Sequence, residues 1–160
     1  MFNQRHTSFS QADIITSALY DQKTFYPAFL KDLGNSYEEV IIESPFLTMR
    51  RFAVLRQSFR RLGTRHAKMI VNTRHPDEHE DEHMRLEAIY VIGALQQAGI
   101  KVLFTGGHHR KLAILDRRVL WEGSLNILSQ SESCEVMRRI ASPDLCQEMM
   151  QFTGLSRWCQ

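Results

Sequence analysis

The stretch Gly106-Gly-His-His-Arg-Lys-Leu-Ala-Ile-Leu-Asp116, with Gly123-Ser-Leu-Asn126 seven residues later, decides how the rest of this sequence is read. Lys111-Leu-Ala-Ile-Leu115 is short and apolar, bounded by Gly106-Gly107 and by Asp116-Arg-Arg118, so it reads as a buried strand. Residues two apart on a strand point the same way, which puts His109 and Lys111 on one face and Leu112 and Ile114 on the other. The two glycines permit a tight turn and close approach of another group. Arg117-Arg118 then turns the chain into a second strand, Val119-Leu-Trp-Glu122, whose pairing with the first brings Ser124 and Asn126 back towards His109.

These residue types suit phosphoryl transfer without a metal. Attack on an anionic phosphodiester adds charge to the non-bridging oxygens, and fixed donors in a water-poor site offset it. Lys111 supplies a positive charge, and Ser124 and Asn126 supply donors. A neutral imidazole at His109 attacks phosphorus and splits one hard displacement into two. Its other nitrogen needs a partner to fix the tautomer. Glu135 is the first candidate and Asp116 the alternative, although Asp116 also stands where it would close the turn with Arg117 and Arg118. His108 lacks a lysine two residues downstream and reads as a loop histidine or a substrate contact.

The order His-x-Lys-x-x-x-x-Asp followed by Gly-Ser-x-Asn resembles the phospholipase D superfamily. Two copies of this motif meet at one active site in that family, one histidine attacking and the other protonating the leaving oxygen. This chain holds one copy, as do the small bacterial and mitochondrial endonucleases of the superfamily. The resemblance therefore implies a homodimer in which His109 of each subunit faces its mate, an arrangement a self-complementary two-fold interface builds from one patch. It implies a nuclease acting on DNA or RNA through a phosphohistidine, with no cofactor and no metal. The alternatives are a phospholipid phosphodiesterase or phosphatidyl transferase, and a nucleic-acid-binding module with little turnover.

At 160 residues the chain is long enough to bury a sizeable core and is expected to form one domain over 1–160. Its net charge of +2 is too small to announce a polyanion partner, but Arg50, Arg51, Arg56, Arg60, Arg61 and Arg65 cluster in one segment, with Lys68 close behind. The competing reading is a solvated helix face. Cys134, Cys146 and Cys159 are odd in number and lack metal-like spacing, which fits reduced thiols. No secretory pattern opens the sequence and no apolar run reaches membrane-spanning length, so a cytoplasmic protein without a membrane partner is expected.

Helices and strands alternate. A helix is expected from about Ser10 to Leu33, packed on the domain, with Ile14, Ile15, Ala18 and Leu19 at helical spacing. A strand follows at Tyr37–Ser44, a helix at Phe52–Leu62 ending at Gly63, a strand at Lys68–Thr73 and a long helix at Asp77–Gln97. Ile100–Thr105 leads to the motif. A short helix after Asn126, a strand from Cys134 to Ile140 and a helix opened by Ser142-Pro-Asp144 complete the chain. The pattern gives an α/β class with a layered mixed β-sheet flanked by helices on both faces, phospholipase D-like. Two decoys are set aside. His79-Glu-Asp-Glu-His83 matches a zinc-protease helix literally, but its acids suit the first turns of a solvated helix. His66-Ala-Lys68 has Thr73 where a second motif would need an acid, and no Gly-Ser-x-Asn follows.

Overall fold

Among the described residues, 16–129 and 131–159, seven strands form one mixed sheet in this computed structural model. In chain order the elements are β1 (Thr16–Asp21), α1 (Phe25–Gly34), β2 (Glu39–Glu43), α2 (Met49–Thr64), β3 (Lys68–Thr73), α3 (Glu82–Gln97), β4 (Lys101–Phe104), β5 (Leu112–Leu115), β6 (Val119–Gly123), β7 (Val136–Ala141) and α4 (Pro143–Thr153). The spatial order is β1-β7-β6-β5-β2-β3-β4. β2, β3 and β4 run parallel, joined through α2 and α3, while the pairings from β2 through β5, β6 and β7 to β1 are antiparallel.

Strand alternation sorts the core into two layers. Val40, Ile42, Val71, Ala113, Leu115 and Trp121 face α1, α2 and α3. Ile41, Ile70, Leu112, Ile114, Leu120 and Ile140 face α4 through Cys146 and Met150. Both faces of β2 and β5 are therefore dry, which is why they read as unbroken apolar runs. Trp121 is fully buried, meets the edges of Phe25 and Phe29, and donates from Nε1 to Asp32 at 2.9 Å.

The expected helix over Ser10–Leu33 is corrected. Thr16–Asp21 is an edge strand paired with β7, and the helix starts only at Phe25; the proposed cap Ser10, with Ile14 and Ile15, lies outside the described residues. A polar turn separates the two, in which Asp21 accepts from the amides of Lys23 and Thr24. Four smaller corrections follow, two of them set by helix caps. α2 begins three residues early, where Thr48 caps it, and runs through Gly63. α3 begins at Glu82 behind its cap Asp81, with Pro76–Glu78 a separate 3-10 turn. Turns replace the short helix after Asn126, and β7 starts at Val136 instead of Cys134. Lys68–Thr73 and the Ser142-capped last helix form as expected.

Candidate active site

β5 joins two chemically different ends. At its C-terminal end, Asp116 and Arg117 both take left-handed backbone angles, φ 49° and 52°, and Arg118 N–H closes the turn onto Leu115 O at 3.0 Å. Such a turn is unfavourable for residues bearing a Cβ and needs outside support. The Asp116 carboxylate supplies it by accepting from the amides of Tyr37, Glu38 and Glu39 at 2.9, 2.8 and 2.9 Å. Arg117 adds an ion pair to Glu39 at 2.9 Å. Asp116 thus fastens the β5–β6 turn to the start of β2.

The other end carries His108 to Lys111, which lie outside regular strand. Side chains from neighbouring elements hold them. Glu78 accepts from Gly107 N at 2.9 Å, with Gly107 at a φ of +62° that suits glycine, and Arg74 donates to His108 O at 3.2 Å. Glu43 is fully buried at the last β2 rung opposite Leu112, and Arg110, two residues before Leu112, reaches it diagonally. The guanidinium grips both carboxylate oxygens at 2.6 and 2.7 Å. Asn72 also donates to Glu43 at 2.7 Å, and Thr105 donates to Asn72 at 3.0 Å, so β2, β3 and the end of β4 converge on the motif.

His109 and Lys111 do share a face. Lys111 Nζ lies 3.0 Å from His109 Nδ1 and 3.4 Å from Nε2, and donates to His109 O at 2.6 Å. Burial pulls Lys111 below its ordinary value; Glu135 opposes that and Arg74 adds to it. The second strand returns as expected, with Gly123 N–H on Lys111 O at 3.2 Å. Gly123 is required there, because a Cβ would stand 2.1 Å from Val136 O. Ser124 next to it donates to Glu135, which also accepts from Ser133 at 2.6 Å.

The site therefore gathers His109, Lys111, Ser124 and Glu135. Neither candidate carboxylate bonds to His109 among the described residues: Asp116 is committed to the β2 amides and Glu135 to Ser124 and Ser133. Asn126 follows between buried Leu125 and Ile127, its Oδ1 without a hydrogen-bond partner among the described residues. His108 is buried, with both ring nitrogens in the same condition, and burial is the main reason its affinity for a proton falls below that of an ordinary histidine. Sequence reasoning missed Glu43, Asn72, Arg74, Glu78 and Arg110. A usable signal was present only for Glu43, an acid closing the apolar run Val40-Ile-Ile42.

The zinc-like decoy dissolves. His79 precedes α3 and packs against Phe46 with ring centroids 5.5 Å apart, while His83 points to solvent. Among the described residues, no group of three or more histidine, cysteine or acidic side chains is placed to hold a metal ion. No helix of these residues is long and apolar enough to cross a membrane.

A family profile described as "Cardiolipin synthase, PLD-like domain" matches residues 29–155. No curated protein matches the sequence. Among solved structures, Nuc from Salmonella typhimurium, a phospholipase D family member, superposes with a TM-score of 0.72 at 13% identity, over 92% of this chain and 96% of that one. NucT from Helicobacter pylori gives 0.67 at 16% identity, over 87% and 93%. Phosphatidylserine synthase from Haemophilus influenzae gives 0.63 at 12%, over 91% of this chain and 38% of that one. Identities this low speak for fold alone, but the profile covers β2 to β7 and the whole motif. This chain belongs to the phospholipase D-like family, a superfamily of phosphodiesterases.

Proposed function

We propose that this protein is a metal-independent phosphodiesterase that cleaves DNA or RNA, with His109 as nucleophile and the site completed by a second copy of the chain. The observation that carries the reading is the His109–Lys111 pair, an imidazole with the lysine ammonium 3.0 Å from Nδ1 at one end of β5. The imidazole forms an N–P bond as the P–O bond to the leaving strand breaks. His109 of the partner subunit protonates that oxygen, and water then hydrolyses the phosphohistidine. Lys111 faces the charge that develops on the phosphoryl oxygens; Glu135, tied to Ser124, balances Lys111. Asn126 offers a further donor to that phosphate.

The second subunit is supported by exposure. His109 is open to solvent in the single chain, whereas donors and charges act strongly only where water is excluded. Beside it runs a groove of about 500 Å³ bordered by Lys111, with Leu19, Val136 and Phe152 exposed at 62%, 51% and 87%. Arg110, Arg138 and Glu122 also line this groove. Charges of both signs suit self-complementary pairing of two copies; a phosphate backbone would meet Glu122.

The test is cleavage of labelled single- and double-stranded DNA and RNA in excess EDTA, wild type beside His109→Ala. The expected result is cleavage that the mutation abolishes. Cleavage only with added metal would sink the mechanism, and turnover of phosphatidyl substrates alone would move the assignment to lipid. Light scattering should give a dimer, which Phe152→Asp returns to monomer with loss of activity.

A further inference from the structure

We infer that the exposed face of α2 is a binding track for the nucleic-acid backbone on one side of the reacting phosphate; the inference rests on the nucleic-acid reading above and names a surface it does not use. α2 contains no acid. Arg50, Arg56, Arg60 and Arg61 are exposed, and none forms an ion pair among the described residues. At 3.6 residues per turn they share, with Ala53, Val54, Gln57 and Thr64, an arc of roughly 160° turned away from buried Phe52, Leu55, Phe59 and Leu62.

Arg65 shows what a structural arginine here looks like. It donates to Gly34 O and Ser36 O at 2.8 and 2.7 Å and stacks over Tyr37. The four track arginines have no such task. Arg56 and Arg60 stand one turn apart as a like-charge pair, which destabilises a helix by a few tenths of a kcal/mol. Meanwhile Asp77, Glu78, Glu80 and Asp81 sit together before α3 and Glu82 opens it, so a chain of net charge +2 keeps its charges sorted instead of mixed.

The track starts beside the segment that joins Ser124 to Glu135. Thr48 N–H donates to Leu128 O at 2.8 Å where the helix opens. Arg50 borders a cleft of about 410 Å³ with Gln22, Lys23, Ser131 and Glu132, four residues before Glu135 in the case of Ser131. From Arg50 to Arg61 the helix rises roughly 16 Å, a span matching several phosphates of one strand. Guanidinium forks suit phosphate oxygens. A membrane surface fits less well, because the large apolar side chains of α2 are committed to the core and its exposed arc keeps only Ala53 and Val54.

The experiment measures binding of a labelled 20-nucleotide DNA strand in EDTA across a salt series, in the His109→Ala background so that nothing is cut. Replacing Arg50, Arg56, Arg60 and Arg61 together by Gln should weaken binding about tenfold or more at physiological salt and flatten the log–log salt slope by about 3. Arg56→Gln with Arg60→Gln alone should give roughly half that slope change. With His109 intact, the four-arginine variant should hydrolyse bis(4-nitrophenyl) phosphate at the wild-type rate and keep its helical circular dichroism. Unchanged oligonucleotide affinity and slope overturn the track. So does a loss seen only with vesicles of phosphatidylcholine and phosphatidylglycerol, which would assign the face to membranes. Lost oligonucleotide affinity in a protein whose wild type never cuts nucleic acid would uphold the track and bring down the cleavage reading instead.

Discussion

The two ends of β5 share one sequence motif and are built on opposite principles. At the Asp116 end the carboxylate's oxygens take three backbone amides, and a strained turn is held shut by them. At the His109 end the polar groups are only partly engaged. His108 Nδ1 and Nε2, Arg74 Nε, Thr73 Oγ1 and Asn126 Oδ1 have no hydrogen-bond partner among the described residues. Folding rewards the first arrangement and gains nothing from the second. A motif written in one line thus combines a fastening with an edge of partly unpaired polar groups, and substitutions should separate the two.

The largest effect is expected at His109. His109→Ala should lower phosphodiester turnover by about ten-thousand-fold with no change in thermal midpoint, measured on one preparation by kinetics and calorimetry. A comparable fall in stability would erase the distinction between the ends. Asp116→Ala should do the reverse. Losing bonds to three amides costs about 3 kcal/mol and roughly 10 °C in Tm, while turnover per folded molecule stays within about threefold. If the Asp116 variant instead folds normally and is dead, the carboxylate belongs to the chemistry.

Glu43 lies between these extremes. Glu43→Gln keeps an oxygen for Asn72 but leaves Arg110 with a weakened grip, so the His108–Lys111 segment loosens. Turnover should drop about tenfold with KM little changed. Arg110→Gln should match it, and the double variant should be no worse than either single one, because the two residues act as a unit. Additive losses would show that they do not.

The smallest effect is a pH dependence. Burial holds His108 below the ordinary imidazole value of 6.5, so the unfolded chain takes up the proton first as pH falls. Its contribution to stability is complete above that value and declines beneath it. His79, lowered chiefly by burial as well, acts in the same direction. Replacing His108 by Asn should make the decline in Tm between pH 7 and pH 5 shallower. An identical slope would mean that another group sets the acid limit.

What was legible in the sequence divides along physical lines. β3 and the Ser142 cap were read residue by residue, because apolar runs and cap chemistry are local. The pairing that returns Ser124 to Lys111 was legible for the same reason. β1 was misread because Ala18 and Leu19 fall at helical spacing from Ile14 and Ile15, and the Asp21 turn that interrupts them was given no weight. Asn72 and Arg74 are invisible because their roles depend on neighbours distant in sequence, and Glu43 is marked only as an acid closing an apolar run. Arg110 was passed over as the variable position between His109 and Lys111, yet it joins the motif to a buried acid 67 residues earlier.

Among the described residues β1 pairs with β7 alone, Thr16 opposite Ala141. Its partner is therefore not made until every strand between them in sequence has been synthesised. While β2 to β6 are being made, the first of these strands waits with its ladder open. A chain released before Ala141 would hold every residue of the motif and still leave that strand unpaired, free to add to the sheet of a neighbouring molecule.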